Sequence, residues 1–379
     1  MKSQRISLTC APGGENHRGN QLIGVPPTKG SGLKYTDLQV LAKELTKKYG
    51  KNVELHDLNA LSQINTNLFK GLEEEHKANV LIIRNYAKDL TKQIFSECMS
   101  DEWDSKYLDP NKYRTEIVEG KKVRIRGKVL NKHARKNICY VKNLDQEPNY
   151  LEGKGRIVDL LKKKALNSVV DKIISELNNI LIENNCDSRV VINVVEGNHY
   201  YDLNKTGIGF HGDTERVVVI CLTIGGGGNY PMRWSWFING RPCGEPIDIG
   251  LNDGDLYIMS EKAVGSDWKK RIIYTLRHAA GCNKYLSMDK WKKKKPKKAK
   301  KNQIKTTQKE VDKTDTVRLQ IKTIMRENTE IKIGVVAKKD LSSMVIEEKD
   351  LGKKICDYEA FNVEYNDKLV KSGIYYLNK

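Results

Sequence analysis

The segment GFHGDTERVVVICLTI places His211 and Asp213 two residues apart at the entrance to an apolar run. On an extended chain, residues i and i+2 share a face, so this imidazole and carboxylate project together into whatever that face lines. A further histidine from a neighbouring strand would complete a set of two histidines and one carboxylate. Such a set grips a metal such as iron(II) from one side and leaves its remaining positions open. The chain has seven histidines, and the one candidate downstream of Asp213 is His278, in YTLRHAAG. The same residues also allow a plainer arrangement, in which a histidine and an aspartate are hydrogen-bonded to each other at a strand entrance. Between them lies NDGDLYIMSEKA, a turn leading into a strand. Upstream, GNHYYD puts Asn198 and Tyr200 on one face, where they could line the same pocket.

Taken together these residues resemble the iron(II)/2-oxoglutarate-dependent dioxygenases, and within them the AlkB-like nucleic-acid dealkylases. The matching parts are Asn198-His199-Tyr200, His211-Gly212-Asp213-Thr214-Glu215, the Gly254-Asp255 turn, and an arginine motif matched at Arg271, Thr275 and Arg277, with Ile273 in place of an asparagine. The resemblance covers about residues 165–291, and the whole chain is similar to uncharacterised large-DNA-virus members of the class. It implies a double-stranded β-helix (jelly-roll) core, and His211, Asp213 and His278 as catalytic metal ligands. It also implies Fe(II) and 2-oxoglutarate as cofactors, dioxygen as co-substrate, and Asn198, Tyr200, Arg271 and Arg277 at the 2-oxoglutarate site. One departure is the order: in the family the distal histidine precedes the arginine motif, whereas no histidine lies between Asp213 and Arg271 here. Either His278 completes the triad from beyond the motif or the site has two protein ligands; we take His278. On one continuous strand His278 shares a face with Ile272, Tyr274 and Leu276, which turns Arg271 and Arg277 away. Lys284, just past the turn, then becomes the alternative anchor for the distal carboxylate, as a point charge rather than a bidentate fork.

A second constellation is basic. In VRIRGKVLNKHARKN, Arg124, Arg126 and Lys128 alternate with Val123, Ile125 and Gly127, and Lys132 and Arg135 follow. One strand would line the first three along a single face that could track a phosphate backbone, or be merely solvated. Trp234 and Trp236 share parity and read either as base-stacking groups or as core. The four glycines 225–228 lack the Lys-Ser/Thr of a phosphate loop and read as a flexible loop beside the site mouth.

The elements that must position these groups follow from patterning. Asp37 to Tyr49 and Leu166 to Ile182 carry apolar stripes at helical spacing, and Val80 to Asn85 reads as a buried strand. Strand-type runs begin at Arg189, Arg216, Met232, Pro246, Asp255 and Arg271, punctuated by Asn239-Gly240 and Asn252-Asp253-Gly254. Closely spaced strands with a helix outside them predict an α+β protein, an antiparallel barrel or sandwich with buttressing helices. The expected division is a small N-terminal α/β region over 1–150, the core over 151–291, a Lys-rich linker over 292–309 and a small C-terminal module over 310–379.

Composition bounds the rest. The chain has 379 residues, with 67 Lys+Arg against 48 Asp+Glu, a formal net charge of +19. Eight lysines in KKKKPKKAKK explain part of that excess, and most of the remainder falls within residues 1–291. A positive surface favours a nucleic-acid partner, DNA or RNA. Eight cysteines without a CxxC pair fit reduced thiols, and exclude a disulfide framework or zinc finger. There is no apolar run long enough for a membrane span and no signal core, so the expectation is an intracellular protein of host cytoplasm or nucleus, or virion-associated, with no membrane partner. The leading functional expectation is a dioxygenase that hydroxylates or demethylates a nucleic-acid base. The alternatives are a prolyl or lysyl hydroxylase of the same superfamily and a non-catalytic basic protein with a degenerate oxygenase fold.

Overall fold

The protein is described here by a computed structural model covering residues 3–17, 19–63, 76–226 and 228–291, with the backbone of short strands between 320 and 375. Two compact units divide the chain, Met1–Lys295 and Pro296–Lys379. The expected linker over 292–309 lies outside the described residues. In the second unit Gln320–Arg326 pairs antiparallel with Thr329–Val335, and Lys354–Asp357 with Gly373–Tyr375.

The first unit opens with β1 (Arg5–Ala11), β2 (Gly13–Glu15) and β3 (Leu22–Gly24), then α1 (Tyr35–Tyr49), β4 (Val53–Asp57), α2 (Leu58–Leu61), β5 (Asn79–Ile83) and α3 (Thr91–Met99). A long hairpin, β6 (Lys106–Val118) and β7 (Lys121–Asn131), precedes β8 (Lys136–Val141), β9 (Ile157–Asp159) and α4 (Lys164–Glu183). There follow β10 (Val194–Tyr200), β11 (Gly207–His211), β12 (Val219–Ile224), β13 (Tyr230–Ile238), β14 (Arg241–Leu251), β15 (Leu256–Met259), α5 (Glu261–Val264), β16 (Thr275–Gly281) and α6 (Asn283–Leu286).

These strands build two sheets. The larger has the order β4-β5-β15-β12-β1-β10-β8-β9, and the smaller β11-β16-β13-β14. From β10 onward the chain changes sheet repeatedly: β10 lies in the larger, β11 in the smaller, β12 in the larger, the β13–β14 hairpin in the smaller, β15 in the larger and β16 in the smaller. Between β10 and β12 sits β1, antiparallel to both. Residues 1–150 are therefore not a region of their own as expected from sequence. Their strands β1, β4, β5 and β8 complete the sheet that β10, β12 and β15 begin, because those strands have backbone edges that must be paired.

Two apolar layers hold the unit together. On one face of the larger sheet Ile6, Leu8, Ile220, Leu222, Leu256 and Ile258 meet Leu38, Leu41 and Leu45 of α1 and Leu166, Val170 and Ile173 of α4. The helical stripes read from sequence are thus covered by this sheet. On its other face Val219, Cys221, Tyr257 and Met259 meet Met232, Trp234, Trp236, Ile247, Ile249 and Leu276 of the smaller sheet. Trp234 and Trp236 are fully buried there, and Trp236 Nε1 donates to the Leu58 carbonyl at 2.9 Å, so both are core. Asn239 and Gly240, both with positive φ, make the two-residue turn between β13 and β14. No helix among the described residues is long and apolar enough to cross a membrane.

The alternation of β1 divides these layers, with Ile6, Leu8 and Cys10 toward the helices and Arg5, Ser7 and Thr9 toward the smaller sheet. Leu8→Ala should therefore cost about 2–5 kcal/mol of unfolding free energy in urea. Ser7→Ala should stay within roughly 0.5 kcal/mol. Equal losses would contradict the two-faced strand.

Candidate metal centre

His211 ends β11, and His278 stands directly opposite it on β16. The two rings lie 4.5 Å apart, centroid to centroid, in an edge-on arrangement. Asp213 follows β11 by two residues, and its backbone N–H donates to the Val264 carbonyl of α5 at 3.2 Å. Gly212, between the two ligands, permits this approach: a Cβ there would lie 2.1 Å from the Gly265 carbonyl oxygen. The three side chains converge so that one ligand atom from each lies within 4.8 Å of the others. Asp213 Oδ1 is the shared centre, 3.4 Å from His211 Nε2 and 3.8 Å from His278 Nε2.

The protonation pattern suits metal binding. His211 Nδ1 faces two carbonyl oxygens, of Gly209 at 2.9 Å and His278 at 3.1 Å. Carbonyls only accept, so Nδ1 carries a hydrogen and the ring turns Nε2 toward Asp213. Burial, joined by the neighbouring His211, pushes the His278 imidazole down to about 3, so it stays neutral. Burial alone would raise the Asp213 carboxyl, but the His211 hydrogen bond and the Arg216 charge outweigh it and hold the group ionised. Two imidazoles and one carboxylate are a ligand set that fits a divalent first-row ion. Arg216 flanks the other carboxylate oxygen, its Nε 3.8 Å from Asp213 Oδ2. It is itself fixed by Glu196 and by Glu215 at 2.9 Å.

The triad opens into a cavity of about 430 Å³ whose walls include Ser7, Thr9, Arg135, Asn137, Asn198, Tyr200, Tyr230 and Trp268. Of the residues expected at the cofactor site, Asn198 and Tyr200 line it. Arg271, Arg277 and Lys284 do not. Arg271 lies in the exposed turn before β16, which starts at Thr275, later than the continuous strand expected from Arg271. Arg277 is on the face of β16 opposite His278, its guanidinium 4.1 Å from the Phe237 ring and 5.1 Å from that of Trp268. Lys284 is exposed on α6. Asp255 of the Gly-Asp turn pairs with Arg84 at 2.6 Å and accepts the Asn252 N–H, a structural role.

Sequence reasoning missed Arg5. Its side chain is fully buried, its guanidinium donates to the carbonyls of Leu251 and Gly228, and it lies 5.2 Å over the Tyr230 ring. Among the described residues no carboxylate is hydrogen-bonded to it, although the charges of Asp253 and Asp255 act on it from farther off, and its Nε and the Tyr230 hydroxyl are buried without a hydrogen-bond partner. Tyr230 and Leu251, which it touches, are cavity walls. Of the basic residues, Arg135 also reaches the cavity, where its Nε donates to Asn198 Oδ1. Lys132 instead donates to the Asn16 carbonyl at 3.2 Å, and Arg124, Arg126 and Lys128 lie on the exposed β7.

No family profile matches the chain. It is similar to an uncharacterised protein, R156, of Acanthamoeba polyphaga mimivirus, at 36% identity over 288 residues that span 75% of this chain and 98% of that one. The chain belongs to that viral protein's family. This matches the expectation of large-DNA-virus relatives and leaves the chemistry to be read from the site itself.

Manganese(II) titrated into the protein and read by electron paramagnetic resonance should bind one-to-one. Asp213→Ala and His278→Ala should each weaken it at least about tenfold, and Lys284→Ala should leave it unchanged. Undiminished binding in Asp213→Ala would remove the centre.

Proposed function

We propose that the protein is an iron(II)- and 2-oxoglutarate-dependent dioxygenase on a double-stranded β-helix, oxidising an alkyl or methyl group on a nucleic-acid base. The observation that carries this reading is the His211–Asp213–His278 convergence at a cavity whose walls Tyr230 and Leu251 touch the buried Arg5. The repeated change of sheet from β10 to β16, with β1 in the remaining place, supports the fold. When bound, the ion and 2-oxoglutarate together would supply the oxidising chemistry, consuming dioxygen and releasing succinate and carbon dioxide.

The chain's own groups then have definable tasks. His211 Nε2, His278 Nε2 and Asp213 Oδ1 would hold the ion, with the Arg216 charge beside the second carboxylate oxygen favouring that orientation. Arg5 is the fitting anchor for a carboxylate of 2-oxoglutarate, replacing the expected Arg271, Arg277 and Lys284. A buried guanidinium lacking a paired anion is costly alone and gains most from one. The Tyr230 hydroxyl, also unpartnered, can donate to the same group, and Ser7 lies on the same inner face of β1. Tyr257, Met259 and Met232 supply apolar wall to the same cavity.

The iron-loaded protein should release succinate from 2-oxoglutarate faster with a methylated oligonucleotide than with proline- or lysine-containing peptides. His211→Ala should abolish it, and peptide-specific stimulation would favour the protein-hydroxylase alternative. Arg5→Lys should raise the KM for 2-oxoglutarate about tenfold or more, since a point charge replaces a bidentate fork. A KM raised by Lys284→Ala and not by Arg5→Lys would return the anchor to the segment after β16.

A further inference from the structure

The β6–β7 hairpin belongs to neither main sheet; it is a two-stranded ribbon by itself. Thirteen and eleven residues long, at roughly 3.3 Å per residue it reaches on the order of 35 Å. Its register puts Ile117 opposite Lys122, Thr115 opposite Arg124 and Tyr113 opposite Arg126. Cross-strand partners share a face, so Lys122, Arg124, Arg126 and Lys128 form one row beside Tyr113, Thr115 and Ile117. All four cations are exposed. Arg126 is spent on its own ribbon, donating to the Pro110 carbonyl and Asn111 Oδ1, and Arg124 lies 4.1 Å over the Tyr113 ring. Lys122 has no ion pair among the described residues, while Lys128, at the root of the ribbon, stands opposite Asp109 without an ion pair to it. Ile117 is 74% exposed and Tyr113 47%, apolar surface that a ribbon without a core above it leaves in water.

The root of the ribbon leads to the cavity. Tyr107 of β6 packs on His17, ring centroids 3.9 Å apart, and His17 lines the cavity. Beyond β7 the chain continues through Lys132 to Arg135, a cavity wall four residues past the end of the ribbon. A row of cations at about 6.6 Å intervals is close to twice the 3.4 Å axial spacing of phosphates on one strand of a B-form duplex. A two-stranded β-ribbon also has the width that a major groove admits.

We infer that the β6–β7 ribbon is an arm that grips the sugar-phosphate backbone of a duplex through the Lys122–Arg124–Lys128 face and delivers the strand to the cavity past Arg135. The inference rests on the oxygenase reading for the purpose of that delivery, and names how the polymer is held. Arg124, flattened on Tyr113, presents its guanidinium edge to a phosphate, and Tyr113 and Ile117 pack against the sugars between.

The test uses the full chain without iron or 2-oxoglutarate and a fluorescein-labelled 20-base-pair DNA duplex, read by anisotropy from about 50 to 200 mM salt. The charge reversals Lys122→Glu, Arg124→Glu and Lys128→Glu combined should weaken binding at least about tenfold and flatten the log–log salt slope by about 2–3, at roughly 0.9 for each phosphate no longer neutralised. A control, Lys43→Glu, Lys51→Glu and Lys92→Glu combined, makes the same change in net charge on the helical side and should cost less than threefold. Equal loss in both variants, or none in the first, overturns the arm. So does an equal loss of binding to a labelled poly-glutamate peptide, which would assign the face to an acidic protein. Because binding is read without metal, a protein that binds through the arm but releases no succinate would refute the oxygenase reading and leave the arm standing.

Discussion

The pairing of β1 on both of its edges is the constraint on which the rest of the structure depends. β10 and β12 lie near each other only because the chain leaves the larger sheet through β11 and comes back, so the slot between them has to be filled by a strand from elsewhere. Two rows of buried backbone groups would otherwise lack partners, at a cost no loop could offset. The register of β1 then sets the interior: Ser7 stands opposite Asn198 on one side and Thr223 on the other, and Arg5 opposite Tyr200. A slip by one residue would turn Ile6, Leu8 and Cys10 into the polar cavity and Arg5 into the helical core, which makes the register a strongly determined one.

How much of this is legible in the sequence follows from what kind of signal each part leaves. The stripes of α1 and α4 are local and periodic, and the helices fall where Leu38, Leu41, Leu45 and Leu166 to Leu181 put them. His211, Asp213 and His278 are legible because i, i+2 spacing is local and because the histidine supply leaves one choice. Strand starts are less so: the runs read from Arg189, Arg216 and Arg271 pair only from Val194, Val219 and Thr275, where a neighbouring strand is present to bond them. RISLTC alternates plainly enough to be a strand. Nothing local says that its partners lie some 190 and 215 residues away, so the cation it carries into the interior has no one-dimensional signature. Local spacing offers instead Arg271, Arg277 and Lys284, none of which lines the cavity, whereas Lys290, farther along the chain, does.

The same distinction separates the basic residues. The alternation read from sequence falls on β7, where Arg124, Arg126 and Lys128 are all exposed. That Arg126 is occupied by its own hairpin and Lys132 by Asn16 depends on the bulge between Asp109 and Tyr113 and on the loop from Asn16, neither of which the sequence marks. Burial pushes Lys132 down to about 8, which sets it apart from the solvated cations of β7.

The buried charges around the cavity set what it can hold. Arg216 is matched by Glu196, while burial and the adjacent Asp213 push the Glu215 carboxyl upward, toward its neutral form. Asp213 keeps the Arg216 contact at 3.8 Å and the two imidazoles, and a divalent cation held at the triad would meet its remaining charge. Arg5 stands outside the lining, touching the walls Tyr230 and Leu251, with the charges of Asp253 and Asp255 acting on it from farther off. Arg135 and Lys290 do line the cavity, so an anion entering it would meet them together with any ion at the triad, and the two binding steps would favour each other reciprocally.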